Sequence, residues 1–225
     1  MATTLVTGGA SGLGRAIVDR LLTAGEHPAV LDLKPPSQDV PYQAVDLADA
    51  RAAEAAVRVL AEQTGGLHAV VTAAGIDHPG ALSDVDAQDW ERVIAVNLVG
   101  TAAVIRAALP YLIRERGHVV TVASTLGLRA LSDATAYCAA KFGVVGLTRA
   151  LSAELGASVG VSLLIPGGMR TAFFDGRDER YRPGADASLN DPVHVADAVL
   201  FALRQPPGCA VRELVICPST EPSYP

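Results

Sequence analysis

The sequence predicts an α/β fold: a doubly wound parallel β-sheet flanked by helices, three layers in the order α/β/α. Short apolar runs alternate with longer segments of helical periodicity through most of the chain. The runs are almost continuously apolar, as strands are when both faces of a sheet are covered. Half of the 225 residues are hydrophobic and 19% are charged, with a mean hydropathy of +0.30. Disorder requires the opposite balance.

Seven runs read as strands: Thr3–Thr7, Pro28–Asp32, Tyr42–Asp46, His68–Thr72, His118–Ala123, Val159–Ile165 and Glu213–Cys217. Helical periodicity covers Leu13–Ala24, Ala50–Gln63, Ala87–Glu115, Thr135–Leu155 and Pro192–Arg204, with a break expected near Pro110. Asp191 before Pro192 suits a cap and first helical position, and Gly25 and Gly117 follow helix ends. The βαβ order implies right-handed crossovers. One domain is expected over 1–225. Within it, Ala172–Asn190 (AFFDGRDERYRPGADASLN) is polar and aperiodic, a candidate substrate lid, with Phe173, Phe174 and Arg177–Arg182 at a pocket mouth that His78 and Arg129 also border. Residues 219–225 read as a frayed C-terminal tail.

Composition excludes several function classes. A net charge of −6 with scattered arginines and a pI near 5.3 offer no basic stripe, so no nucleic-acid partner is expected. No secretory signal opens the chain, and no uninterrupted apolar run of about 18 residues predicts a membrane span. Three cysteines, Cys138, Cys209 and Cys217, stand at no paired or metal-like spacing, which fits a cytoplasmic protein. His27, His68, His78, His118 and His194 lack ligand spacing, so no metal is expected.

TGGASGLG (Thr7–Gly14) follows the first strand and opens the first helix. Glycines there let the backbone approach a pyrophosphate, whose charge a helix N-terminus stabilises; the alternative is a plain tight turn. Asp32 ends the second strand, where a carboxylate accepts both ribose hydroxyls of NAD and repels a 2′-phosphate. Lys34 nearby blunts that repulsion, which leaves NADP as the lesser choice. Asp32 also reads as a turn cap before Lys34-Pro35-Pro36. Asp46, ending the third strand, reads equally as a helix cap or as a contact to an adenine ring.

Tyr137 and Lys141 stand at i and i+4, stacked on one helix face. An unperturbed phenol, with a pKa near 10, is a poor base at neutral pH, and a neighbouring ammonium lowers that value. Only Lys34 and Lys141 are lysines among 18 basic residues, so with five tyrosines a Y-x-x-x-K match is expected by chance only about 0.04 times. A compact ammonium can donate to two ribose hydroxyls beside a phenol, a geometry that suits guanidinium poorly. Ser124, after the fifth strand in TVASTLG, is placed to hold a substrate oxygen beside that phenol, or is a turn serine. Asn97, one of two asparagines, lies in a helical pattern that disfavours it, which points to a specific hydrogen bond or a bend.

In this order and spacing, TGGASGLG, Asp32, Asp46-Leu47, Ala73-Ala74-Gly75, Asn97, Ser124, Tyr137/Lys141 and PGGMRT (166–171) resemble the short-chain dehydrogenase/reductase (SDR) family over nearly the whole chain. The resemblance implies a Rossmann-type fold and a catalytic tetrad of Asn97, Ser124, Tyr137 and Lys141. Tyr137 would be general acid/base and Ser124 would polarise the substrate oxygen. Lys141 would bind the nicotinamide ribose and lower the phenol pKa, and Asn97 would hold a relay water. The cofactor site would comprise Thr7, Gly8, Ser11, Gly12, Leu13, Gly14, Asp32, Leu33, Asp46, Leu47, Ala73, Ala74, Gly75, Tyr137, Lys141, Pro166, Gly167, Met169 and Thr171. Where the family has two asparagines before Ala-Gly, this chain has Thr72 and Ala73.

The implied activity is NAD(H)-dependent interconversion of a secondary alcohol and a ketone. The alternatives are a catalytically silent NAD-binding scaffold, or an epimerase or isomerase acting through a transient ketone. A homodimer or homotetramer is expected, with apolar residues on several faces of Leu147–Leu155 suiting a buried interface.

Overall fold

A computed structural model describes residues 2–206, 208–221 and 223–224. Seven strands form a single parallel sheet in the order β3-β2-β1-β4-β5-β6-β7. They are β1 Thr3–Thr7, β2 His27–Asp32, β3 Tyr42–Ala44, β4 Ala69–Thr72, β5 His118–Val122, β6 Gly160–Pro166 and β7 Glu213–Ile216. The helices are α1 Gly12–Thr23, α2 Ala50–Thr64, α3 Ala87–Ile94, α4 Thr101–Glu115, α5 Thr135–Leu155 and α6 Pro192–Leu203. The residues of β1 and β4 are buried throughout, because helices cover both faces. On one face α1 and α6 contribute Ile17, Leu21, Val195 and Val199 to the core. On the other, α2, α4 and α5 contribute Val57, Leu60, Val104, Leu112 and Leu151.

The order reverses between β1 and β4, and their carboxyl ends open the crevice where parallel α/β sheets bind ligands. Asp191 caps α6 by accepting from the Val193 amide at 2.9 Å, with Pro192 in the first turn as expected. The third strand is shorter than its apolar run. It ends at Ala44, and the Asp46 carboxylate accepts the Ala48 amide at 2.9 Å to turn the chain toward α2.

Pro110 does not break the helix. It sits within α4 on the solvent side with the exposed Arg106 one turn before it. Buried Ala107, Ala108 and Leu112 hold the segment to the core, which offsets the hydrogen bond lost at Pro110. The irregularity falls earlier, in a π-helical turn over Ala95–Gly100. The run Ala87–Glu115 is long and apolar enough to cross a membrane by length and composition. Its buried face packs in the core, with Asn97 completely covered. At the end of α4, Arg116 takes the left-handed conformation (φ 50°) rather than Gly117. Gly117 serves a close approach instead, since a Cβ there would lie 2.1 Å from the His68 carbonyl oxygen.

The C-terminal segment is not frayed where it is described; Pro222 and Pro225 lie outside the described residues. Ser223 is buried and its hydroxyl pairs with that of Thr125 at 2.7 Å. Glu221 accepts from the Gly168 amide at 3.0 Å. These polar anchors, absent from any hydrophobic pattern, fasten the segment across the β6 end.

His118 starts β5 with its Nε2 2.8 Å from the Ser162 hydroxyl. Burial, aided by the charge of His68, pushes its pKa down to about 4. The folded value lies below the unfolded one of about 6.5, so this contribution to stability is present above pH 6.5 and is lost as pH falls toward 4. The urea midpoint is therefore expected to drop between about pH 7.5 and pH 5, and by less in His118→Gln. An equal drop in both proteins would contradict this assignment.

Candidate active site

The carboxyl ends of β1, β2, β4, β5 and β6 border a cavity of about 830 Å³. At one end lies the glycine turn. Gly8, Ser11, Gly12, Leu13 and Gly14 line the cavity, and the Ser11 side chain makes no cap bond to α1. With no acidic residue in that first turn, the amides that open α1 are left for an anion. Gly14 fits because a Cβ would stand 2.1 Å from the Gly8 carbonyl oxygen. Thr7 does not line the cavity; its hydroxyl accepts from the Ala74 amide at 3.0 Å and ties β1 to the loop after β4.

Asp32 and Leu33 line the next section. The Asp32 carboxylate accepts from the Ala10 amide at 3.0 Å and the Lys34 amide at 3.1 Å, so it is at once a turn cap and a cavity-facing acid. Asp46 and Leu47 also border the cavity. Arg92 pairs with the Asp46 carboxylate at 2.9 Å. Partial burial opposes the charge, but the Ala48 amide and Arg92 hold the carboxyl below its usual range. Helix α2 is capped by Asp49, not Asp46.

Ala73, Ala74, Gly75, Pro166, Gly167, Met169 and Thr171 line the cavity. The substitution before Ala73 has a visible consequence, since the buried Thr72 hydroxyl has no partner among the described residues. Asn97 stands behind the cavity wall. Its amide donates to the Ile76 carbonyl at 2.7 Å and accepts from the Ile76 amide at 2.9 Å. Its side chain thus clamps the loop after β4, and its carbonyl takes the Thr101 hydroxyl at 2.8 Å.

Ser124 lies just after β5, and its hydroxyl accepts the Leu126 amide at 3.1 Å. It also lies close enough to the Tyr137 phenol to lower its pKa. Lys141 is buried one turn on, donating to the Val122 carbonyl at 2.9 Å, with Nζ 5.6 Å from the Tyr137 ring centroid. Burial pushes Lys141 down to about 8. The phenol is raised, not lowered: burial dominates and Asp77 adds to it, outweighing the nearby Ser124 hydroxyl and Arg177. The protein alone therefore holds Tyr137 as a protonated acid.

The lid candidate carries short 3-10 turns at Ala172–Phe174 and Glu179–Tyr181 and is closed at its base by an isolated bridge between Met169 and Asn190. Phe173, Phe174 and Arg177 line the cavity, and the Phe173 ring lies 5.7 Å from that of Tyr137. His78 and Arg129 do not line it. The cavity lining also includes residues that the sequence does not single out, among them Asp77, Glu221 and Ser223. Asp77 follows the Ala-Ala-Gly motif by two positions and had that one local signal. The other two had none.

Three comparisons agree with this geometry. The pattern of the short chain dehydrogenase family matches residues 2–182. An uncharacterized oxidoreductase, MW2403, of Staphylococcus aureus strain MW2 is 30% identical over 95% of this chain and 96% of its own. The 2,5-dichloro-2,5-cyclohexadiene-1,4-diol dehydrogenase LinX of Sphingobium indicum is 29% identical over 88% of this chain and 86% of its own. The alcohol dehydrogenase of Thermococcus sibiricus, solved with 5-hydroxy-NADP, shares the fold with a TM-score of 0.84 over 96% of this chain and 95% of that one, at 24% identity. With the glycine turn, the Ser124–Tyr137 contact and the buried lysine on one sheet edge, the chain belongs to the short-chain dehydrogenase family of oxidoreductases.

Proposed function

We propose that this protein interconverts a secondary alcohol and a ketone with NAD(H), using Tyr137 as general acid/base. The observation that carries the reading is the grouping of Ser124, Tyr137 and buried Lys141 in one cavity, whose far end is the open glycine turn. The residues fit a dinucleotide. Uncapped amides of α1 suit a pyrophosphate, Asp32 suits ribose hydroxyls, and Lys141 faces the Gly75 turn with Nζ 3.7 Å from where a Cβ would stand. When bound, the nicotinamide supplies the hydride acceptor or donor, and its oxidised ring carries a positive charge.

The side chains then divide the remaining work. Ser124 orients the substrate oxygen toward the phenol. In ketone reduction Tyr137, which its raised pKa keeps protonated, gives its proton to that oxygen. In alcohol oxidation it takes the proton, which needs a nearby positive charge to offset burial. Lys141 supplies part of that charge when protonated, and Asn97 holds the loop that forms the opposite wall. Relatives that act on an alcohol and on a cyclic diol support the class.

A panel of secondary alcohols and ketones, with the absorbance of reduced nicotinamide followed over pH, tests the reading. Wild-type protein is expected to prefer NADH to NADPH. Asp32→Ser should narrow or reverse that preference, because the 2′-phosphate no longer meets a carboxylate. Equal use of both cofactors by the wild type would contradict the role given to Asp32. Self-association belongs to the same proposal. Phe142 on α5 and Val99 in the π-helical turn are each 45% exposed, apolar surface suited to a second copy. A monomeric mass by light scattering at micromolar concentration would count against it.

A further inference from the structure

Beside Tyr137 lies an ion pair that the proposed reaction does not use. Arg177, from the lid, reaches Asp77, from the loop after β4, with Nη2 and Oδ2 3.1 Å apart. The side chains are 12% and 6% exposed, respectively. The Arg177 guanidinium lies 4.6 Å from the Phe173 ring centroid and 4.8 Å from that of Phe174. Phe173 in turn packs 5.7 Å from the Tyr137 ring. The aromatic contacts fix the guanidinium plane at the inner end of the cavity.

The pair is in ionic contact but incompletely hydrogen-bonded. Asp77 Oδ1 and Arg177 Nε and Nη2 are buried without a hydrogen-bond partner among the described residues. Buried charged groups left in this state cost stability, and they persist where a ligand completes them. Both residues line the cavity that holds Tyr137 and Ser124.

The free atoms specify the ligand. They comprise one carboxylate acceptor and guanidinium N–H donors, on a pair with no net charge. A hydroxyl complements both at once, donating to Asp77 Oδ1 and accepting from Arg177. A substrate carboxylate would meet Arg177 only at the cost of facing Asp77. A plain hydrocarbon would leave all three atoms unsatisfied. Arg180 and Arg182 also border the cavity, but both are exposed at its mouth and keep their water.

The geometry points to a second-hydroxyl subsite: Asp77 and Arg177 select substrates that carry another hydroxyl near the reacting carbinol, as diols and polyols do. This rests on the alcohol–ketone reading for which hydroxyl reacts, but recognition can be measured apart from turnover.

Calorimetric titration of the protein loaded with NADH compares cyclohexane-1,2-diol and cyclohexane-1,3-diol with cyclohexanol and lactate. At least one diol is expected to bind about tenfold or more tighter than cyclohexanol. Asp77→Asn, nearly isosteric, and Arg177→Met are each expected to bring that preference to within about threefold. Melting curves establish that the variants fold, and if Arg177→Met does not, Asp77→Asn carries the test. Equal binding of cyclohexanol and the diols, including no measurable binding of any, overturns the subsite. Tighter binding of lactate than of either diol also overturns it, as does an unchanged preference in Asp77→Asn. Oxidation of the same compounds with NAD is scored separately. A diol preference in binding without turnover supports the subsite and contradicts the proposed reaction, whereas turnover without preference does the reverse.

Discussion

Replacing Tyr137 by phenylalanine is expected to lower turnover by about 10²–10⁴-fold while NADH still binds. The phenol places a titratable proton beside Ser124 in the cavity. The variant keeps the ring and its contact with Phe173 and loses only the hydroxyl. A loss in the chemical step with intact cofactor affinity would separate proton transfer from binding. Steady-state kinetics and fluorescence titration with NADH check both halves. Turnover within a few-fold of wild type would remove Tyr137 from the reaction.

The second large effect is expected at Gly14. Its Cα lies against the turn, so the Cβ of Gly14→Ala would stand 2.1 Å from the Gly8 carbonyl oxygen and 2.5 Å from the Gly8 carbonyl carbon. Neither is the end of a flexible side chain, so the turn itself must shift. Forcing an atom into a packed site costs about 1–3 kcal/mol, occasionally more. The shift displaces the amides that open α1, so NADH affinity should fall about tenfold or more, tenfold being about 1.4 kcal/mol. Urea unfolding and NADH titration measure the two effects. Unchanged affinity would mean that the glycine turn does not hold the nucleotide. In both variants the expected loss is local, and it differs in kind: chemistry for Tyr137, cofactor binding for Gly14.

The parts of the molecule that were legible in the sequence share one property: their signal is local. Continuous apolar runs mark strands buried on both faces, and β1, β2, β4 and β5 sit where such runs predict them. The i, i+4 spacing of Tyr137 and Lys141 places them on one turn of α5 regardless of the rest of the chain. The glycine turn is likewise read from eight consecutive residues, Thr7–Gly14.

What was not legible depends on contacts between distant segments. Arg177 meets Asp77 across a hundred positions, and no periodicity links the two. Ser223 closes on Thr125 through a single hydroxyl pair, so a polar, proline-rich end reads as loose until its partners are seen. Asn97 was recognised as special because an amide is disfavoured within a helix, but its clamp on Ile76 requires knowing where the β4 loop runs. Pro110 was misjudged for a related reason: the hydrogen bond it loses is offset by the packing of its segment against the core. The phenol of Tyr137 illustrates the same limit in electrostatics. Proximity of a lysine predicts a lowered pKa, while the depth of the site, invisible in sequence, raises it.

Transfer of an isotopic label tests the central claim, hydride exchange at a carbinol carbon assisted by Tyr137. A secondary alcohol deuterated at the carbinol carbon would be incubated with the protein and NAD, and the products analysed by mass spectrometry. The account predicts one deuterium on the reduced nicotinamide for each ketone formed. Deuterium retained on the substrate carbon or lost to water, without net reduced cofactor, would contradict it and would indicate isomerisation or proton exchange instead.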